Sequence, residues 1–175
     1  CSQTSRVLPS GVSYDEIGSV LDAYIAEHEK TTAAVSIQLI AGDEQLYSRI
    51  AGYADKEKNI QNTADTVFEW GSSTKLLVWT SVMQLYERGL IDLNADVRTY
   101  IGNNFLTKLT YEKPITMYNL MHHNAGWQDV LTGLFVESKS DILSLEQMLK
   151  RTEPLQIYEP GTIVGYSNWG VALAG

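Results

Sequence analysis

Cysteine occurs once in the 175 residues, at Cys1. An internal disulfide is therefore excluded, and so is a metal site built on cysteines. Basic residues are also scarce: 13 Lys and Arg stand against 21 Asp and Glu, for a formal net charge of -8 at pH 7. Such a chain lacks the basic face that holds a nucleic-acid backbone, and charge does not draw it to an anionic membrane surface. Long apolar runs are missing as well, for none reaches the roughly 18 residues of a membrane-spanning helix. Nor is there an internal repeat or a low-complexity tract. What remains is a globular composition, 44% hydrophobic and 19% charged, long enough to bury a core and to form about one domain.

The order of elements follows from the apolar spacing. Ile17, Val20, Leu21, Tyr24 and Ile25 recur at helical intervals within 13–30, and Ser13 with Glu16 reads as a capping box. Residues 33–55 hold two β-branched runs around Gly42-Asp43, the composition of a hairpin. A connection over 66–73 leads into the apolar run 76-LLVWTSVMQL-85, a helix that should stop at Gly89 with Arg88 in its last turn. Residues 90–101 read as a loop with a short helical piece. Pro114 and Thr116 open a short helix over 116–123, and 141–151 reads as another. After Pro154 and 159-EPG-161, residues 162–175 give a turn and the start of an apolar helix. Helix, hairpin and then mostly helices is an α+β arrangement, not the alternation of a doubly wound sheet. The expected division is a flexible stalk over 1–12, an α/β part over 13–65 and a helical part over 66–175.

The stretch 70-WGSSTK-75 carries the first chemical signal. Ser72 and Lys75 are three residues apart at the head of a run that is apolar on nearly every face, so they share one side of the first turn. Burial of such a helix, and the positive end of its dipole, would press an ammonium there to give up charge. A lysine so placed can take the proton of a serine hydroxyl, which activates serine without histidine. The Ser72 N–H would also face any oxyanion formed by the attacked carbonyl. Alone the pattern is weak, since serine is an ordinary helix cap and lysines snorkel. It occurs only once in the chain, however, and where a hairpin feeds an apolar helix.

The second signal is 165-GYSNWG-170. A phenol near an ammonium ionises more readily, so Tyr166 could act as base toward Ser72 or pass the proton to a leaving group. Asn168 can accept from Lys75 and donate to a substrate amide. For an isolated Tyr-x-Asn, a turn tyrosine with a packed ring is the plain alternative.

Together these stretches resemble the serine β-lactamase and penicillin-binding-protein family, within it the class C branch. The separation of Ser72 and Tyr166, 166 − 72 = 94 positions, suits that branch. So do 88-RGLIDLNADVRTYI-101, 120-LMHHNAGW-127 and 160-PG-161 ahead of 166-YSN-168. The resemblance implies a β-lactamase/transpeptidase-like fold, with a helical subdomain packed on an antiparallel sheet and the site in the groove between them. It implies Ser72 as the acylated nucleophile, Lys75 as its helper, Tyr166 as acid/base and Asn168 as a contact for the substrate's amide side chain. Gln128, just past the 124–127 turn, would line the groove. No cofactor or metal is implied. His122 and His123 are neighbours, which point about 100° apart on a helix and make a poor metal pair, so His123 reads as a structural hydrogen-bonding residue. Asn124 and Ala125 stand where the family has Thr-Ser, a mild departure.

The larger departure is the family's third motif, Lys/His-Thr/Ser-Gly, which supplies the second oxyanion donor. No such triplet follows Asn168. The expectation is an N-terminal half whose site lacks a complete oxyanion hole, whose hairpin edge and central helix are exposed, and whose fold is completed by the C-terminal half of the same protein. The implied activity is hydrolysis of an amide or ester through an acyl-enzyme, on a β-lactam, a D-Ala–D-Ala peptide of peptidoglycan, or an ester. A non-hydrolysing penicillin sensor or peptidoglycan-binding module of the same fold is the alternative. An α/β-hydrolase would need Gly-x-Ser-x-Gly, and the nearest match, 165-GYSNW-169, has Trp169 in place of the last glycine. Finally, 1-CSQTS-5 resembles the mature start of a bacterial lipoprotein, which implies an exported protein with a lipid anchor at Cys1. A chain boundary falling there by accident is the other reading.

Overall fold

The computed structural model describes residues 6–175. Cys1, with its expected lipid anchor, lies outside the described residues. Two compact units divide at the Glu69–Trp70 junction.

The first unit holds helix α1 (Ile17–His28) and a three-stranded antiparallel meander, β1 (Ala34–Ala41), β2 (Glu44–Asp55) and β3 (Ile60–Gln61), in the order β1-β2-β3. The hairpin turns at Gly42-Asp43 as the composition predicts, with Ala41 opposite Glu44 and Ala34 opposite Gly52. Strand β3 is only two residues long and carries no pattern of its own, which is why the sequence hid it. The side chain of Asn62 makes up for its brevity, donating to the carbonyls of Val35 at 2.8 Å and Ala51 at 3.1 Å. Helix α1 is tied to β2 by the Tyr47 hydroxyl, which donates to Asp22 Oδ1 at 2.7 Å.

Two expectations for this unit need correction. Ser13 does not cap α1, because it is held extended in a bridge to Val7 and its hydroxyl donates instead to the Glu16 carboxylate at 2.7 Å. The helix starts at Ile17 with no side-chain cap. Residues 6–12, assigned to a flexible stalk, form a turn closed by Leu8 N–H to Val12 O at 2.8 Å. Arg6 is paired with Glu44 at 2.8 Å, so this part of the stalk is folded.

The second unit is helical. A 3₁₀ turn (Gly71–Thr74) runs into α2 (Lys75–Glu87), followed by α3 (Arg98–Ile101), α4 (Met117–Met121), a 3₁₀ turn (Lys139–Asp141), α5 (Leu145–Arg151) and α6 (Asn168–Ala174). Helix α2 ends where expected: Arg88 is its cap and Gly89 takes a positive φ. Capping boxes set the starts of α4 and α5, Thr116 with Asn119 and Ser144 with Gln147. The core gathers Val97, Leu106, Ile115, Leu120, Ala125, Trp127, Leu149, Trp169 and Leu173. Trp127 and Trp169 meet edge to face at 4.7 Å, an arrangement that aromatic quadrupoles favour.

Polar groups knit the long connections to this core. Buried Glu153 accepts from Thr107 N–H at 2.6 Å, Lys108 N–H at 2.9 Å and the Thr107 hydroxyl at 2.6 Å. Gln156 is 1% exposed. Its side chain joins Thr110 and Tyr111 to Ala125 and so anchors the 122–127 turn. Gly126 is obligatory in that turn. Its φ is +86°, and an added Cβ would run into the carbonyl of Tyr158.

One expectation is met in only one of its two forms. Helix α2 is apolar all round in sequence, yet Val82 is its one buried residue. Leu76 and Leu77 are 67% and 56% exposed. Within the second unit α2 keeps these apolar side chains exposed, in line with the expected exposure of the central helix.

Candidate active site

Ser72 occupies the 3₁₀ turn just ahead of α2 rather than the first turn of the α-helix. Gly71 before it has φ +53°, a left-handed conformation that lets the chain enter the turn sharply. The first bonded N–H of the turn is that of Ser73, to Trp70 O at 3.2 Å, so the Ser72 N–H stands ahead of the ladder as helix-start donors do. Lys75 opens α2 one turn on. Its ammonium donates to Ser72 Oγ at 3.0 Å, so the two residues share a face as their spacing predicts.

Tyr166 comes to the same oxygen from 94 positions away, its hydroxyl donating to Ser72 Oγ at 2.8 Å. The Lys75 ammonium also lies 5.0 Å from the centre of the Tyr166 ring. The phenol is held below its ordinary pKa, first by the Lys75 ammonium beside it and then by its hydrogen bond with Ser72. Lys75 is only partly buried, at the head of the exposed α2. The Lys75 side chain beside the phenol favours the ionised form of Tyr166.

Tyr166 is carried by the 165–167 segment, which His123 holds on both sides. Gly165 N–H donates to the His123 carbonyl at 2.7 Å, and Ser167 N–H donates to His123 Nδ1 at 3.2 Å. The two rings lie 4.6 Å apart. The imidazole is held below its usual pKa by burial and by Lys75, with Asp129 opposing. Ser167 caps α6 by accepting from Gly170 N–H at 3.0 Å, which fixes where the helix begins relative to Tyr166.

Asn168 is the first residue of α6. Its N–H donates to Asp129 Oδ1 at 3.2 Å. The expected hydrogen bond from Lys75 to Asn168 is not among those of the described residues; the ammonium donates to Ser72 Oγ. Gln128 is exposed beside Asp129. Asp129 itself escaped the sequence reading. Its only signal was an acidic residue next to Gln128 after the turn, and the contact with the head of α6 joins residues 39 apart.

The arrangement thus offers a hydroxyl with two polar partners, a phenol prone to ionise, and an adjacent N–H with no partner among the described residues. Comparison with known proteins places the chain in a family. The family model described as Beta-lactamase matches residues 21–175. The chain belongs to this family. A Bacillus subtilis (strain 168) protein that carries a penicillin-binding name is 30% identical over 105 residues, 60% of this chain and 26% of that protein. The teichoic acid D-alanine hydrolase of Staphylococcus aureus is 27% identical over 146 residues, 79% of this chain and 34% of the hydrolase. Among solved structures, the D-amino acid amidase of Ochrobactrum anthropi SV3 matches with a TM-score of 0.69 and 25% identity, over 92% of this chain and 43% of the amidase. The fold is therefore β-lactamase/transpeptidase-like, as the motifs imply. The chain spans about a third or less of the length of the two curated relatives, 34% and 26%.

Proposed function

We propose that this chain carries the nucleophile side of a serine hydrolase site: Ser72 is acylated, Tyr166 is the acid/base and Lys75 is the cation that readies both. The observation behind this reading is the convergence on Ser72 Oγ of the Lys75 ammonium at 3.0 Å and the Tyr166 hydroxyl at 2.8 Å. In the reaction, ionised Tyr166 takes the Ser72 proton as Oγ attacks the substrate carbonyl. The proton then passes to the leaving amine or alkoxide as its bond to carbon breaks, which leaves Ser72 acylated and Tyr166 ionised. Water repeats the sequence in reverse to release the acid. The Ser72 N–H supports the oxyanion, and a site with that donor alone turns over about 10²–10³ more slowly than one with two. Asn168 contacts the amide side of the substrate, and Gln128 lines the rim.

The relatives' names refer to D-alanine on teichoic acid and to D-amino acid amides. Esters and amides of D-amino acids are accordingly the substrate class we favour over a β-lactam. A cell-envelope location outside the cytoplasm suits such substrates. The test is the intact mass of the chain after incubation with a fluorophosphonate and, separately, a penicillin, beside Ser72→Ala. One adduct per chain, lost in Ser72→Ala, is the expected result. No adduct, or one that persists in Ser72→Ala, would overturn the assignment.

A further inference from the structure

His123 sits at an unexpected place for a ring. Helix α4 is capped by His122, and the next two N–H groups close a Schellman pattern, His123 N–H to Leu120 O at 3.2 Å and Asn124 N–H to Asn119 O at 3.0 Å. The residue after the cap must then be left-handed, and His123 has φ +51°. Glycine fills this position without strain, and asparagine tolerates it. A histidine held there against its backbone preference points to a use for the side chain.

We propose that His123 is the positioning residue that sets the Tyr166 phenol against Ser72, and that it does so only as the neutral imidazole. This rests on the reading of Tyr166 as the acid/base of Ser72. Three contacts bracket Tyr166: the His123 carbonyl takes Gly165 N–H at 2.7 Å, Nδ1 takes Ser167 N–H at 3.2 Å, and the rings pack at 4.6 Å. Because Nδ1 accepts, the ring proton must lie on Nε2. An imidazolium has no free lone pair, so protonation breaks the bond to Ser167 and frees one side of the bracket. The charged and titratable groups around the ring are Lys75 of α2, Asp129 of the following loop and Tyr166 itself. His122 is turned away and stacks on Tyr118 at 4.0 Å.

Three variants separate the parts. His123→Phe keeps the ring and removes the acceptor. His123→Asn keeps an acceptor at the place of Nδ1 and suits the left-handed backbone. His123→Gly removes both and relieves the strain. The readouts are the rate of acylation by a fluorophosphonate against pH, the apparent affinity for the probe, and the thermal midpoint. Misplacing a reacting group by about 1 Å costs up to about 100-fold, so His123→Phe and His123→Gly should acylate slowly by up to that factor with affinity unchanged. His123→Asn should restore most of the rate. Wild type should lose rate with a steeper slope below the imidazole pKa, and His123→Asn should lack that extra slope. His123→Gly should keep or raise the thermal midpoint while staying slow. Equal rates in all variants, or a loss in His123→Phe explained by unfolding alone, would overturn the proposal. Tyr166→Phe, run alongside, tells the two readings apart. If it acylates as fast as wild type, the Tyr166 reading fails; if it is slow while His123→Phe is fast, only the positioning role fails.

Discussion

Replacing Gln156 with leucine tests the frame that carries the site. Gln156 is 1% exposed. Its Oε1 accepts from Thr110 N–H at 3.0 Å and Tyr111 N–H at 3.1 Å, and its Nε2 donates to Ala125 O at 3.1 Å. Two backbone donors and one backbone carbonyl thus depend on one amide, which also fixes the amide's orientation. Leucine is close in size, so the cavity term is small and the loss is that of three stranded groups. A buried group left without its partner costs about 1–3 kcal/mol. Allowing for partial relaxation, the expected loss is roughly 3–6 kcal/mol. Urea unfolding followed by tryptophan fluorescence suits the question, because Trp127 and Trp169 are both buried in this core. With a slope of about 2 kcal/mol per molar urea, the midpoint should fall by roughly 1.5–3 M. Gln156→Glu adds a check on the mechanism. Protonated, it can still donate to Ala125 O and accept from Thr110 and Tyr111; ionised, it sets a charge against that carbonyl. Its pKa is then raised by folding, so its stability should be retained below about pH 4.3 and lost as pH rises through the raised value. A loss under about 1 kcal/mol for Gln156→Leu would refute the reasoning, since it would mean that the three backbone groups find other partners.

Other consequences are open to direct measurement. Gly126→Ala should destabilise by more than about 2 kcal/mol in the same urea assay, because the position is left-handed and the new Cβ meets the Tyr158 backbone. The depressed imidazole of His123 gives a pH dependence of stability. The folded state binds this proton less readily than the unfolded one, so the contribution is full above about pH 6.5 and is lost as pH falls through the lower folded value. Thermal midpoints measured on either side of that window should show the fall in wild type and less of it in His123→Asn.

Much of this was legible in the chain. The hairpin reads from Gly42-Asp43, the end of α2 from Gly89, and the two motifs pair Ser72 with Lys75 by spacing and with Tyr166 by family pattern. What stayed hidden depends on tertiary neighbours. Ser13 looks like a cap until the bridge to Val7 holds it extended. The apolar composition of α2 suggests a buried lysine, whereas its exposure leaves Lys75 only partly buried. Asp129 reaches the head of α6 only through the fold. The left-handed turn at His123 is set by the end of α4, and nothing in the local sequence marks a histidine for a glycine's place.

Activation of Ser72 by Tyr166 under the influence of Lys75 is tested most directly by the pH dependence of acylation in wild type and Tyr166→Phe. The Lys75 ammonium holds the phenol below its ordinary value, so wild type should show a rate that rises with pH and levels off below about pH 10, the unperturbed tyrosine range. Tyr166→Phe should lose that limb and fall by about 10²–10⁴, the usual scale of general-base help. A Tyr166→Phe protein that keeps both the wild-type rate and the limb would contradict the account.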